Sequence, residues 1–205
     1  MTKNIIIVGA GENGYVIRNI FDHQNFENKF IGFLDDVKVG PEILGKVSDF
    51  HKFQEAGDYF FVAIGGNGAR RDVFLKLKEA GARFVNAIHP SAFVESDLIL
   101  GNNVMIGALS YVNVRSTIGN GTFINNGCTV EHDNQIGDFC HLAPRVVTGG
   151  GVIVGDGTFI GLNSAIRDHV KIGEGAIIGM ASAVVGPVED NITVYGNPAK
   201  VARKK

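Results

Sequence analysis

The sequence predicts two architectures in one chain: a small parallel α/β domain at the amino end, followed by a parallel β-helix of hexapeptide repeats. Three observations carry this prediction. An aliphatic residue recurs every six residues from Ile88 to Val184, glycine often follows it, and a glycine-rich loop follows the first apolar run. A period of six fits neither the 3.6 of a helix nor the 2 of an ordinary strand, and it is typical of hexapeptide coils.

The repeating aliphatic column indicates a triangular coil in which each hexad forms one face and one corner. Only Thr148 interrupts the Ile, Leu and Val residues of this column. We expect the column to point into the prism, and we expect the next residue to be glycine because a corner requires backbone dihedrals that a Cβ obstructs. The residue two before the column is small at most positions, where faces converge: Ala92, Ser110, Ser116, Thr122, Cys128, Cys140, Thr158, Ser164, Ala176 and Ser182.

Composition is that of an ordinary soluble protein. The 205 residues are 45% apolar and 20% charged, with a formal net charge of −2, so neither a nucleic acid nor a membrane surface is an expected partner. The first residues lack a signal-peptide layout and no apolar run approaches a membrane span, which favours a cytoplasmic location. Cys128 and Cys140 occupy inward positions of the prism and are expected to be buried free thiols, as a reducing compartment allows.

Strands alternate with helices before the repeats begin. The pattern predicts strands at 4–8, 29–34, 59–64 and 83–87 and helices at 15–23 and 71–80, which together indicate a small parallel sheet. The predicted domains are therefore an α/β domain at 1–85, a β-helix at 86–194 and a tail at 195–205.

A glycine-rich loop, Gly9-x-Gly11-x-x-Gly14, joins the first strand to the first helix. Such a loop lets backbone N–H groups approach a phosphate at the positive end of a helix. Gly65 ends the third strand on the same edge of the sheet, where ligands of such sheets collect. NAD is one candidate ligand, but a domain of about 85 residues is half a dinucleotide fold. A mononucleotide fits better, and a tight turn without ligand remains the alternative.

His132 stands between two carboxylates, Glu131 and Asp133. In this setting a histidine is suited to act as a general base, with one carboxylate fixing its tautomer and stabilising the imidazolium. An exposed histidine in a charged turn is the competing interpretation, and the residues alone leave both open. Gly150 lies eighteen residues later, one full coil away, in a run of three glycines along which a long, thin ligand fits.

Zinc binding is the other function to consider for the histidines. Hexapeptide prisms can carry a site of three histidines, and His132, His141 and His169 are the available set. Their spacing does not bring three imidazole rings together, so no metal is expected.

Several segments match one known family, and they follow one another along nearly the whole chain. These are Ile7-Val8-Gly9-Ala10-Gly11-Glu12-Asn13-Gly14, Phe33-Leu34-Asp35-Asp36, Val62-Ala63-Ile64-Gly65, Asn86-Ala87-Ile88-His89-Pro90-Ser91-Ala92, Val130-Glu131-His132-Asp133 through Pro144, and Val194-Tyr195-Gly196-Asn197-Pro198-Ala199-Lys200. With them the chain resembles the bacterial hexapeptide-repeat sugar acetyltransferases, which include sialic acid O-acetyltransferases and nucleotide-4-amino-sugar N-acetyltransferases.

The resemblance implies a left-handed β-helix that forms a homotrimer, with acetyl-CoA bound in the cleft between neighbouring prisms. It also implies that a nucleotide-linked amino sugar is held by the amino-terminal domain. By the same analogy His132 is the catalytic base, Asp133 is its acidic partner, and Asn125 lines the acceptor pocket.

The resemblance also assigns residues to the two substrates. Those expected to hold the nucleotide sugar are Gly9, Gly11, Gly14, Asp35, Asp36 and Gly65. Those expected at acetyl-CoA are His141 near the thioester, Gly150, Gly161 and Lys200. Lys200 belongs to a basic end with Arg203, Lys204 and Lys205, for which a solvated tail is the alternative. Where the family often has histidine before the last glycine of the loop, this chain has Asn13.

Three functions follow, from different classes. The first is acetyl-CoA-dependent N-acetylation of the 4-amino group of a nucleotide-linked amino-deoxy sugar, for a bacterial surface glycan. The second is O-acetylation of a free sugar of the sialic acid type, and the third is a non-catalytic nucleotide-binding scaffold. Binding of a nucleotide sugar separates the first from the second, and turnover of acetyl-CoA separates both from the third.

Overall fold

The computed structural model describes residues 3–24 and 28–202. The chain divides into two compact units, Met1–Pro90 and Ser91–Lys205. Within the described residues no helix combines the length and the apolar character needed to cross a bilayer.

The first unit is a four-stranded parallel sheet with strand order β3-β2-β1-β4. Its elements are β1 (Lys3–Val8), α1 (Glu12–His23), β2 (Asn28–Leu34), β3 (Ile43–Gly45), a 3₁₀ turn (Val47–Asp49), α2 (Phe50–Glu55), β4 (Tyr59–Val62), α3 (Asn67–Glu79) and β5 (Ala87–Ile88). Residues 5–8 of β1 are fully buried, as expected for a strand between two others in a parallel sheet.

Three elements of the first unit differ from the sequence-based prediction. The strand predicted at 83–87 is reduced to a single bridge between Phe60 and Phe84, followed by the short β5. The strand β3 and the helix α2 were not predicted, because three and six residues are too few to display a period.

The second unit is a left-handed parallel β-helix. Its two-residue strands are β6 (Phe93–Val94), β7 (Ile99–Leu100), β8 (Met105–Ile106), β9 (Tyr111–Val112), β10 (Thr117–Ile118), β11 (Phe123–Ile124), β12 (Thr129–Val130), β13 (Gln135–Ile136), β14 (His141–Leu142), β15 (Val147–Thr148), β16 (Ile153–Val154), β17 (Phe159–Ile160), β18 (Ala165–Ile166), β19 (Lys171–Ile172), β20 (Ile177–Ile178) and β21 (Ala183–Val184). Each ends on a column residue, and from Ile106 to Val184 every column residue is buried. The predicted β-helix is confirmed.

Every third strand stacks to form one face of the prism. The three faces contain β7-β10-β13-β16-β19, β8-β11-β14-β17-β20 and β6-β9-β12-β15-β18-β21. Each residue therefore pairs with the residue eighteen positions later, as Thr129 pairs with Val147. Residues 195–202, predicted as part of a separate tail, instead extend the second face: β22 (Thr193–Tyr195) pairs with β20 and turns back into antiparallel β23 (Lys200–Val201). Arg203, Lys204 and Lys205 lie outside the described residues.

The small residues two positions before the column also form hydrogen bonds between coils. Except for Ser182, which donates to Gly179 O, each side chain in this set that can donate gives a hydrogen bond to the backbone carbonyl fifteen residues later, in the next coil. The bonds run from Ser110 Oγ to Asn125 O (2.8 Å), Ser116 Oγ to Glu131 O (3.0 Å), Thr122 Oγ1 to Gly137 O (2.7 Å), Cys128 Sγ to Ala143 O (3.2 Å), Cys140 Sγ to Gly155 O (3.1 Å), Thr158 Oγ1 to Gly173 O (2.7 Å) and Ser164 Oγ to Gly179 O (2.9 Å). These bonds satisfy buried corner carbonyls that no strand reaches.

The explanation predicted for the glycines after the column is wrong. Positive φ angles occur instead at the third residue after the column, for example at Arg115 (55°), Asp133 (60°) and His169 (56°). The glycine directly after the column is required because the next coil approaches it closely. A Cβ on Gly155, for instance, would overlap the backbone nitrogen of Glu174.

Candidate active site

His132 lies in the corner that follows β12, two residues after the buried column residue Val130. Its Nδ1 is 2.7 Å from Oδ2 of Asp133, and its side chain is 49% exposed. Asp133 has a left-handed backbone, which an aspartate adopts more readily than most residues. This turn brings the carboxylate back onto the ring of its own neighbour, so the hydrogen bond engages Nδ1 and not Nε2.

Arg115, one coil earlier, binds the carboxylate of Asp133. Its Nε donates to Asp133 Oδ1 at 2.7 Å and its Nη2 donates to Oδ2 at 2.8 Å. This bidentate bond, together with that from His132, holds the pKa of the Asp133 carboxyl far below its ordinary value. Asp133 is therefore ionised at neutral pH. Sequence reasoning missed Arg115, although its distance of eighteen residues from Asp133 follows from the period.

Of the two carboxylates beside His132, the structure pairs only one with the ring. Glu131 Oε2 instead accepts a hydrogen bond from Asn113 Nδ2 at 2.8 Å. Asp133 is thus the residue that fixes the tautomer of His132, with Nδ1 as the donor.

Gly150 lies against the imidazole of His132. A Cβ on Gly150 would be 2.6 Å from Cε1 and 2.8 Å from Nε2 of that ring, and the next N–H, of Gly151, donates to His132 O at 2.9 Å. The glycine run therefore provides room for the imidazole, in addition to any role in holding a ligand. Within the described residues the Gly150 N–H has no acceptor, so a donor is available beside Nε2.

His141 and Asn125 lie on a different side of the prism from His132. His141 projects from β14, on the face built from β8, β11, β14, β17 and β20, between the rings of Phe123 and Phe159 at centroid distances of 5.9 and 5.3 Å. Asn125 directly follows β11 and donates its backbone N–H to Leu142 O at 3.0 Å. The structure brings these two residues together. In one prism that face is opposite the corner that holds His132.

The glycines of the amino-terminal loop have separate roles. Gly9 has a φ of 101°, and a Cβ on Gly14 would overlap the Gly9 carbonyl oxygen, so both are required by the turn itself. Gly11 caps α1 with an extended backbone, and a Cβ there would meet nothing within 4 Å. Of the three, Gly11 alone is not explained by the protein's own packing.

The predicted acidic pair accepts hydrogen bonds from backbone N–H groups. Asp35 Oδ2 accepts the Ala10 N–H at 2.7 Å, and Oδ1 accepts those of Val37 and Lys38 at 2.9 and 2.8 Å. Burial alone would raise the pKa of Asp35, but these hydrogen bonds, that of Lys38 foremost, outweigh it and the pKa is lowered. Asp36 Oδ1 accepts the Val47 N–H at 3.0 Å. Both carboxylates thus shape the loop after β2.

Gly65 is held from two sides by residues that sequence reasoning did not assign. The side-chain amide nitrogen of Asn13 lies about 2.5 Å from the position that a Cβ of Gly65 would occupy. The buried guanidinium of Arg70 donates to Ile64 O at 2.9 Å and to Gly65 O at 3.0 Å. Beside this edge a cavity of about 200 Å³ extends from Ala10 and Tyr15 to residues 38–43.

The remaining predicted contacts lie apart from His132 in sequence and in the coil. Gly161 is packed so closely against the next coil that a Cβ would be 2.6 Å from Met180 N, which accounts for the glycine. Lys200 borders an open groove of about 420 Å³ lined by 195–198 and 200–201. Among the described residues no three His, Cys, Asp or Glu side chains are placed to share a metal ion.

Comparison with known proteins agrees with this arrangement. Residues 4–77 match the PglD N-terminal domain. The GDP-perosamine N-acetyltransferase of Escherichia coli O157:H7 is 32% identical over 211 residues, covering 97% of this chain and 96% of the relative. The chain belongs to this family of hexapeptide-repeat sugar acetyltransferases.

Solved structures of the family superpose over the full chain. A mutant of the acetyltransferase from Caulobacter crescentus, in complex with CoA and GDP-perosamine, matches with a TM-score of 0.94 and 30% identity over 100% of this chain and 99% of that one. The acetyltransferase domain of PglB from Neisseria gonorrhoeae FA1090, in complex with acetyl coenzyme A, has a TM-score of 0.94 and 26% identity over 98% and 100%. The predicted resemblance and enzyme class are confirmed.

Gly150→Ala should lower kcat by about 10–100-fold, because the new methyl group pushes the imidazole away from its position above residue 150. The melting temperature should change little, since the displaced group is an exposed side chain. Gly186→Ala is the matched control: it lies two coils later at the same corner, and a Cβ there meets nothing within 4 Å. Steady-state kinetics in which both variants behave alike would contradict this role of Gly150.

Proposed function

We propose that this acetyltransferase transfers the acetyl group of acetyl-CoA to the 4-amino group of a nucleotide-linked amino-deoxy sugar, with His132 as general base. The observation that carries the proposal is the hydrogen-bonded series Arg115, Asp133 and His132, which leaves Nε2 exposed beside a vacant backbone donor. The relatives in the comparison act in the same chemical class, and GDP-perosamine is accordingly the first acceptor to test.

The chemistry requires a proton to leave the amine as its nitrogen attacks the thioester carbon. Nε2 of His132 accepts that proton, and Asp133 stabilises the imidazolium that forms. The carbonyl oxygen becomes an oxyanion, for which the N–H of Gly150 is the nearest available donor. When the C–S bond breaks, the departing thiolate takes the proton from His132, and the base is restored.

The nucleotide of the acceptor is placed by this proposal at the amino-terminal loop. Gly11 supports it because nothing in the protein fills the space beside its Cα, at the start of α1. The cavity next to Ala10 provides adjoining room of about 200 Å³. Because the sheet has four strands, half of a dinucleotide fold, we do not expect NAD to bind.

The proposal includes a homotrimer, which the family resemblance implies and which the positions of the site residues support. His132 occupies one corner of the prism and His141 the opposite face, so a substrate that contacts both must lie between two copies of the chain. The face that carries His141 also exposes apolar side chains, including Phe159 (36%) and Ile177 (46%), that a neighbouring prism would cover. Acetyl-CoA, contacted by His141, would then be bound in the cleft between prisms.

A cytoplasmic location is part of the same proposal. Acetyl-CoA and activated sugars are reactants of the bacterial cytoplasm, and Cys128 and Cys140 are both buried and free. Burial raises the pKa of the Cys128 thiol to about 11, so this cysteine is unreactive and serves only the prism.

His132→Ala should lower kcat by about 10²–10⁴-fold, the range for loss of a positioned general base, while both substrates bind with near-native affinity. Asp133→Asn should cost less, because an amide still orients the ring but does not stabilise its charged form. Release of CoA thiol with GDP-perosamine as acceptor is the measurement. His51→Ala, at an exposed histidine of α2, is the control. A His132→Ala enzyme with more than about a third of wild-type turnover would eliminate the general-base role.

Gly11→Val should weaken binding of the nucleotide sugar while leaving acetyl-CoA affinity and the melting temperature nearly unchanged, because its side chain enters only the space reserved for ligand. Gly14→Ala should show the opposite pattern and lower the melting temperature, since its methyl group meets the Gly9 carbonyl. Calorimetric titration of each substrate distinguishes the two. Saturable NAD binding, or unchanged sugar-nucleotide affinity of Gly11→Val, would refute the assignment.

The trimer is tested by light scattering together with subunit mixing. Wild type should have three times the mass of the chain, and inactive His132→Ala mixed with inactive His141→Ala should regain activity, because hybrid trimers contain clefts with both native residues. A stable monomer, or two variants that never complement each other, would show that the site is complete within one chain.

A further inference from the structure

The corner that holds His132 breaks the hydrogen-bonding rule of the other corners. At the position two before the column, where Ser, Thr and Cys donate once to the next coil, this corner carries Asn134. Its side chain is fully buried, and Nδ2 lies 2.9 Å from Gly149 O, 2.7 Å from Glu131 O and 3.2 Å from His132 O. The first contact repeats the rule for carbonyls fifteen residues later. The other two are additional.

The additional contacts depend on the chemistry of an amide. A hydroxyl or thiol has one hydrogen to donate, whereas the amide of Asn134 has two. One hydrogen serves the next coil, and the second is available to the carbonyls on either side of the His132 Cα. Asn134 therefore holds the backbone from which the imidazole projects.

A second departure from the repeat lies in the same corner. Glu131 N donates to the hydroxyl of Thr148, at 3.3 Å, whereas Asn113 N and Gly149 N at the equivalent positions donate to carbonyls of column residues. Thr148 is the residue that interrupts the aliphatic column. In addition to the regular bond from Ser116 to Glu131 O, the peptides around Glu131 and His132 are thus held by two side chains that the regular prism does not use.

Asn134 is retained at a cost in stability. Its Oδ1 is buried and has no hydrogen-bond partner among the described residues, which is unfavourable for a polar atom. Serine at the equivalent positions 110, 116 and 164 donates to the carbonyl fifteen residues later, so a serine here would satisfy Gly149 O without a buried, unpaired oxygen. Stability of the prism therefore does not explain the asparagine, and the position of His132 does.

We propose that Asn134 is a positioning residue for catalysis, which fixes the carbonyls of Glu131 and His132 so that the imidazole stays between Asp133 and Gly150. The proposal rests on the proposed role of His132 as general base. Asn134 itself has no contact with a reacting atom, because it is enclosed in the prism.

Asn134→Ser is the discriminating variant, because a serine hydroxyl has one hydrogen and donates to only one carbonyl, as Ser164 does in the next coil and Ser182 does three residues back. It therefore cannot hold Gly149 O and the carbonyls beside His132 at the same time. We expect kcat to fall about 10–100-fold, as for a displaced catalytic group, with KM for both substrates within about twofold of wild type. The melting temperature should fall little or rise. Thr158→Val is the matched control, since it removes the equivalent corner bond to Gly173 O and should lower the melting temperature without lowering kcat.

A readout independent of turnover separates this proposal from the function. In protein labelled with ¹³C-histidine, the His132 ring resonance is assigned by its absence from His132→Ala. Asn134→Ser should shift that resonance, whereas Thr158→Val should leave it unchanged. If wild type acetylates no acceptor, the proposed function fails, and the resonance still decides whether Asn134 positions the ring.

Two results would overturn the proposal: wild-type kcat in Asn134→Ser, or an unshifted His132 resonance. If the serine variant does not fold, Asn134→Cys replaces it, because Cys128 and Cys140 already occupy this position with thiols that reach the next coil. A kcat that falls only in proportion to the loss of folded protein would likewise assign Asn134 to stability alone.

Discussion

The hydrogen-bonded stacking of each residue on the residue eighteen positions later is the constraint on which this protein depends. It makes the strands parallel, buries the aliphatic column, and leaves at every corner a few carbonyls that side chains must satisfy. It also places residues distant in sequence directly above one another. Arg115, Asp133 and Gly151 form such a series, and the corner around His132 is assembled from three successive coils.

The active corner is a local exception to a repeating structure. Elsewhere glycine follows the column to admit the next coil, an aliphatic residue fills the interior and a small donor closes the corner. Around His132 an additional glycine, Gly150, admits an imidazole, the interior holds Thr148 and the donor is Asn134. Each exception costs regular packing and gains a fixed position for one side chain. This pattern is what is expected where function, and not folding, decides the residue.

The period of six made most of the β-helix predictable, because a single register determines which residues are buried. His132 could be singled out because two carboxylates flank it in the sequence, and the family resemblance named Asp133 as its acidic partner. The period did not reveal why each glycine is needed. A positive φ angle and the close approach of the next coil both select glycine, and both recur with the same period. In the amino-terminal unit, β3 and α2 are too short to show a period, and the roles of Asp35, Asn13 and Arg70 depend on loops whose course is set by tertiary contacts.

The eighteen-residue register also limits how such an enzyme can change length. An insertion that remains within the prism keeps the inward and outward sides only if it adds six residues, and it returns to the same corner only if it adds eighteen. A shift of one hexad between Arg115 and Asp133 would carry the guanidinium to a different edge from the carboxylate it binds. Near the corner that holds His132, the coil can therefore gain or lose residues only in whole hexads or whole coils. Insertions and deletions of other lengths are confined to segments that protrude from the prism or lie beyond its ends.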